Sequence, residues 1–138
     1  MPFRKRSLFH IALSFTKRWF LVLIWCALIF YLSHRPDLPT GEGEWNLIIL
    51  ILRRAAHVVE YAVLTLLVAR SFKGYNINYR KALLGAGVLA LLYAISDEYH
   101  QTFVQGRNGS LRDVLIDGAG IILALGSIHT LRAFRLRT

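Results

Sequence analysis

The residues best equipped for chemistry in this chain gather between Ser96 and Gly118: Asp97, Glu98, His100, Gln101, Arg107, Ser110, Arg112, Asp113 and Asp117. A second group, Arg53, Arg54, His57 and Glu60, interrupts an apolar stretch, with Arg53, His57 and Glu60 at i, i+4 and i+7 on one helical face. The carboxylates of Glu60, Asp97, Glu98, Asp113 and Asp117 supply general acids, general bases or oxygen ligands for a hard cation. Arg53, Arg54 and Arg107 supply planar, forked donors that match phosphate or carboxylate oxygens. His57 is one turn from Glu60, near enough for that carboxylate to hold one imidazole tautomer. Acid/base work on an anionic substrate is the chemistry these types suit. His57, Glu60, Asp97, Glu98 and Asp113 are the catalytic candidates, and Arg53, Arg54, Gln101, Arg107 and Asp117 the substrate-binding ones.

A divalent cation held by Asp113 and Asp117 is compatible with the same set, and the identity of any metal stays open. Plainer roles stand beside these. Ser110, three residues before Asp113, has the spacing of a helix N-cap whose capping box Asp113 would complete. Glu60 and Asp117 would act as interhelical fasteners if they paired with Arg53, Arg54, Arg107 or Arg112. His34 and His100 suit a wet interface, while His10 and His129 fall among basic segments and carry no chemical assignment.

The elements that position these groups follow from composition. Of the 138 residues, 55% are hydrophobic and only 18% charged, and the mean hydropathy of +0.44 argues against a water-soluble globule. Four apolar blocks, Trp19 to Ser33, Ala55 to Ala69, Ala82 to Ser96 and Gly118 to Leu131, contain no ionisable group apart from His57, Glu60 and His129. The expected fold is all-α: a polytopic membrane protein with four short transmembrane helices. Each block spans roughly 22 Å at 1.5 Å per residue, against a hydrocarbon core of about 30 Å. Each helix must therefore borrow a turn or more from its polar flanks, which draws charged groups to membrane depth. Ala82, Ala86, Ala90 and Ala94 form a small-residue stripe whose next position is Glu98, and Asp113, Asp117, Gly120 and Ala124 share a face. Three polar stripes thus turn toward one interior.

Orientation follows from the loops. The formal net charge is +9, from 17 Lys and Arg against 8 Asp and Glu. Twelve basic residues lie without one acid in the N-terminal segment, the second connection and the tail, the pattern of cytoplasmic segments. The first and third connections and the helix ends flanking them hold all eight acids against five basic residues, a net of −3. Both termini are then cytoplasmic and the polar stripes open outward. Nucleic-acid binding is not expected, because the basic residues are dispersed and their placement is explained by orientation. The expected organisation is a basic segment 1–18, a membrane domain 19–131 and a basic tail 132–138. Residues 7 to 16 form either a short interfacial helix or an extension of the first span, and a signal peptide is not expected because no small-residue cleavage site follows. Residues 45–52 either span the membrane or lie on it, and in the second case the second span starts near Arg53. Cys26, the single cysteine, excludes an intramolecular disulfide and a CxxC site.

Three stretches together resemble the VanZ-like membrane proteins. They are Ser33-His34-Arg35-Pro36, the run from Arg54 through His57 and Glu60 to Leu64, and the pattern D-E-x-H-Q-x-F-x-x-G-R-x-G-S-x-x-D-x-x-x-D-x-x-G that begins at Asp97. The resemblance spans about residues 19 to 131. Two departures are visible: Arg54 stands where the family often has Lys, and Gln105 precedes Gly106-Arg107 where Pro is common. The resemblance implies a four-helix protein of the bacterial envelope, in a family named for a component linked to low-level resistance to the glycopeptide teicoplanin. The expected function is action at the outer face of the cytoplasmic membrane on an anionic lipid or lipid-linked cell-envelope precursor, as a hydrolase or phosphatase. The alternative is a non-catalytic binder of the same lipids that alters access to the cell surface, using the arginines and Trp45, Tyr61, Tyr93, Tyr99 and Phe103. An ion-coupled carrier fits less well, since four short spans leave little room for alternating access. Membrane lipids or a lipid-linked precursor are the expected partners, and the Ala and Gly seams leave room for a homodimer.

Overall fold

Apolar residues recurring at helical spacing dictate helices throughout, and the computed structural model contains no strand among its described residues, 8–35 and 44–136. The side chains of Trp45, Asp37, Glu42, Glu44 and the basic residues Arg4, Lys5 and Arg6 lie outside the described part. Four helices follow one another: α1 (Leu8–Ser33), α2 (Glu44–Phe72), α3 (Tyr79–Gln101) and α4 (Leu111–Arg135). Two starts are fixed by side-chain caps. The Asn78 carboxamide oxygen accepts from the Arg80 N–H at 2.9 Å, and Ser110 Oγ accepts from the Arg112 N–H at 3.1 Å.

The helices are much longer than the apolar blocks, at 26, 29, 23 and 25 residues. The borrowing from polar flanks therefore amounts to several turns. Of the four spans expected, three helices among the described residues carry segments long and apolar enough by themselves to cross a membrane: Thr16–Ser33, Tyr79–Gln101 and Leu111–Arg135. The helix left out is α2, whose sequence carries Arg53, Arg54, His57, Glu60 and Arg70. Its start is also earlier than expected. It runs unbroken from Glu44 through Arg53 and Arg54, because nothing in Leu47 to Leu52 opposes helix and long Arg stems are good helix formers. Likewise α1 passes through residue 18 and α4 through residue 131 without a break, and residues 8 to 16 are part of α1, extending the first span.

Short connections make sequential helices antiparallel neighbours. At one end, Ser71 Oγ near the close of α2 donates to the Arg18 carbonyl in α1 at 2.8 Å. At the other, Ser33 closes α1 beside Asp97 near the end of α3. The centre of the bundle is α2, which packs against all three other helices, whereas α1 touches α2 and α3 but not α4 among the described residues. The core joins Val22 and Ile29 of α1, Tyr61, Leu64 and Val68 of α2, Ile121 of α4 and the α3 alanines at 86, 90 and 94, all three fully buried. Polar ties cross the same interior: Trp25 Nε1 donates to the Glu60 carbonyl at 2.9 Å, and the Tyr93 hydroxyl donates to the Cys26 carbonyl at 2.6 Å. Outside, Leu23, Leu84, Leu115 and Ile122 are each more than 60% exposed, so the bundle presents apolar surface outward.

The tightest approach is between α2 and α4. A Cβ built on Gly120 would overlap the Val58 carbonyl, so glycine alone lets the two backbones meet there. Gly120→Val is expected to cost about 1–3 kcal/mol through overpacking. Gly126→Ala, where a Cβ meets nothing within 4 Å, should be neutral or stabilising by up to about 1 kcal/mol. Thermal unfolding of both variants in one detergent checks the contrast.

Candidate functional site

Antiparallel order brings the ends of α1 and α3 beside the N-terminal halves of α2 and α4, and the polar stripes meet there. Asp117 lies one turn before Gly120, so the close contact of α4 on the α2 backbone delivers its carboxylate to His57. His57 Nδ1 and Asp117 Oδ1 are 3.0 Å apart, with the Asp117 side chain fully buried and the His57 ring 12% exposed. A carboxylate only accepts, so Nδ1 carries the proton and donates, and Nε2 faces away from the pair. The second oxygen, Asp117 Oδ2, is buried without a hydrogen-bond partner among the described residues.

A second network ties α1, α3 and the third connection. Asp97 Oδ2 accepts from Ser33 Oγ at 2.7 Å and from Gln101 Nε2 at 3.0 Å, while Asp97 Oδ1 is buried without a partner. The same Gln101 nitrogen reaches Glu98 Oε1 at 3.2 Å. Arg107 Nη1 donates to Gln101 Oε1 at 3.0 Å, and its Nε and Nη2 donate to the Arg35 and Leu32 carbonyls at 3.2 and 3.4 Å. The arginine fork therefore clamps the end of α1 to the end of α3. Gly106, with φ of 77°, supplies the left-handed residue that turns the chain toward Arg107, and Gln105 does not prevent that turn.

Glu98 joins the two networks. Its Oε2 accepts the Ser110 N–H at 2.9 Å. The capping box expected of Ser110 and Asp113 is thus completed from another helix: Ser110 Oγ caps α4, but the carboxylate on the Ser110 N–H belongs to Glu98 of α3. One donor atom from each of His57, Glu98 and Asp117 lies within 4.8 Å of the others. One imidazole and two carboxylates so arranged suit a divalent cation, with Glu98 in the place expected of Asp113.

The remaining candidates surround this centre. Glu60 is half-buried and in electrostatic reach of His57, Asp97 and Asp117. Asp113 is half-buried one turn before Asp117 and acts electrostatically on Glu98. Arg53 and Arg54 stand half-buried on α2, one turn before His57. Three residues absent from the candidate list belong here. Ser33 is the hydroxyl partner of Asp97. His34 Nδ1 lies 3.2 Å from His100 Nε2, one ring donating and the other accepting, with their centroids 5.4 Å apart; Phe30 stacks on His34 and meets the His100 ring at a tilt. The signal for Ser33 and His34 was the Ser33-His34-Arg35-Pro36 stretch, and for His100 the pattern that begins at Asp97.

A four-helix bundle with an apolar exterior and an internal His–carboxylate centre at one end defines an all-α membrane protein with a polar cluster inside the bundle. The chain belongs to the VanZ/LLP1 family, whose model matches residues 15–132. No curated protein and no solved structure matches it.

Since Asp97 Oδ1 already lacks a partner, losing one donor to Oδ2 leaves the buried carboxylate with Gln101 alone. Ser33→Ala should cost about 1–3 kcal/mol. Adding Ser33→Ala to Asp97→Asn should cost less than the two single effects summed, a coupling that a double-mutant cycle of thermal unfolding measures.

Proposed function

We propose that this VanZ-like membrane protein is a hydrolase of the bacterial cytoplasmic membrane, acting at its outer face on a phosphate-bearing lipid or lipid-linked cell-envelope precursor. The observation that carries the reading is the buried His57–Asp117 pair. Its carboxylate is sealed from solvent while its imidazole keeps an exposed edge, the division of labour in which an acid orients a base and only the base meets substrate. In this reading His57 Nε2 takes the proton of an attacking water and returns it to the leaving oxygen. Arg53 and Arg54, one turn away, hold the anion.

All four helices cross the membrane in this proposal. Support comes from the packing of α2, antiparallel to α1 and α3 and parallel to α4, against three helices that are apolar enough to span, since a central helix in such a bundle shares their depth. The basic residues at the end opposite the site favour cytoplasmic termini and an outward-facing site. The edge-to-face Tyr99–Phe103 pair beside the site, 68% and 70% exposed, is the kind of aromatic surface that sits at a headgroup boundary. Action on a surface precursor also accommodates the link to glycopeptide susceptibility that the family name carries.

Purified protein reconstituted with labelled envelope lipids should form product, with His57→Ala and Asp117→Asn each lowering the rate about 10²–10⁴-fold. Lipid retained equally by wild type and both variants without product would replace the hydrolase with a non-catalytic binder. Reporter fusions should place both termini inside and residue 40 outside; a cytoplasmic residue 40 would overturn the outer-face assignment.

A further inference from the structure

At the end of the bundle opposite the His57–Asp117 centre, the close of α2, the start of α3 and the last turns of α4 enclose a cavity of about 590 Å³. Its lining includes Arg70, Lys73, Arg132 and Arg135 and no acidic residue. Four cations around one cavity, with no acid in its lining, make a region of positive potential that attracts an anion, and a positive-inside bias by itself does not require them to share a cavity.

Two further features specify the anion. The Tyr79 hydroxyl is buried and makes no hydrogen bond among the described residues, while the Arg132 guanidinium lies over its ring at 3.8 Å from the centroid. A donor without an acceptor, beside a guanidinium held in place by an aromatic face, is suited to a phosphate oxygen. The cavity wall also includes Leu66 and Leu131, which are 42% and 63% exposed on the outside of the bundle. The cationic cavity is therefore continuous with apolar surface. A free phosphate would use the cations and the hydroxyl, but not that exit.

We propose that this cavity binds the phosphate headgroup of an anionic membrane lipid, with Arg70, Lys73, Arg132 and Arg135 around the phosphate, Tyr79 donating to one of its oxygens, and an acyl chain leaving past Leu66 and Leu131. The site is distinct from the His57 centre and does not depend on the hydrolase reading.

The test is lipid retention by the full chain in detergent, measured by native mass spectrometry with phosphatidylglycerol, phosphatidylcholine of the same chain length, and inorganic phosphate. Wild type should retain phosphatidylglycerol in preference to phosphatidylcholine. At about 1 kcal/mol for each cation, the double variant Arg70→Gln/Arg132→Gln should bind phosphatidylglycerol about 30-fold more weakly. Tyr79→Phe, which keeps the ring and the fold, should weaken it as well. Arg80→Gln/Lys81→Gln removes the same charge outside the cavity and should leave retention unchanged. Equal losses in the two double variants, unchanged retention in Tyr79→Phe, or inorganic phosphate displacing the lipid at equal concentration would overturn the proposal.

Discussion

A fully buried carboxylate in a helix bundle has to be answered by another part of the chain, and in this protein the answer to Asp117 is His57. An ionisable group within a bilayer costs roughly 2.5 to 3.5 kcal/mol on insertion scales, so α4 cannot bring Asp117 inward unless α2 presents a donor at hydrogen-bond distance. The 3.0 Å contact meets that condition and sets the register of the two helices. Gly120, one turn along α4, is the steric counterpart: it removes the side chain that would hold α4 away from Val58. Polar pairing and close backbone approach thus act on the same helical face, one turn apart.

The second network has a different character. Ser33, Asp97, Gln101, Glu98 and Arg107 form a chain of hydrogen bonds from the end of α1 across α3 to the connection that starts α4. It joins elements that share little contact elsewhere, since α1 is the most peripheral helix and packs on α3 far less than on α2. Arg107, expected to present its fork to a substrate, spends all three of its guanidinium nitrogens on Gln101 and two carbonyls of the α1 terminus. Phosphate recognition in the proposed reaction therefore falls to Arg53 and Arg54, and the third connection serves to hold Glu98 beside the His57–Asp117 pair.

The two ends of the bundle divide chemistry by charge. Carboxylates and histidines collect where α1 and α3 finish, and basic residues with aromatic rings collect where α2 and α4 finish. Between them the interior holds the fully buried alanines at 86, 90 and 94 together with Tyr61, Leu64 and Thr65. That separation fits the two encounters with lipid proposed above, one at each end of the bundle.

Much of this was legible in the linear sequence. The four-residue alanine repeat leading to Glu98, the shared face of Asp117, Gly120 and Ala124, and the alternation of basic and acidic connections are local patterns, and helical geometry converts them directly into faces and ends. Helix length was not legible, because apolar blocks mark where a helix must be buried and not where its backbone hydrogen bonding stops; α2 continues through Arg53 and Arg54 for that reason. Partner choice was also invisible. Sequence spacing offered Glu60 to His57 and Asp113 to Ser110, each within one helix, whereas the fold gave His57 to Asp117 and the Ser110 N–H to Glu98, each between helices. Residues sixty and twelve positions apart become neighbours only when helices pack. The sequence by itself determined which residue types face inward and at which end of each helix; tertiary packing decided which of them touch, because contact distance depends on how closely two backbones approach, and that was set by a glycine opposite a carbonyl.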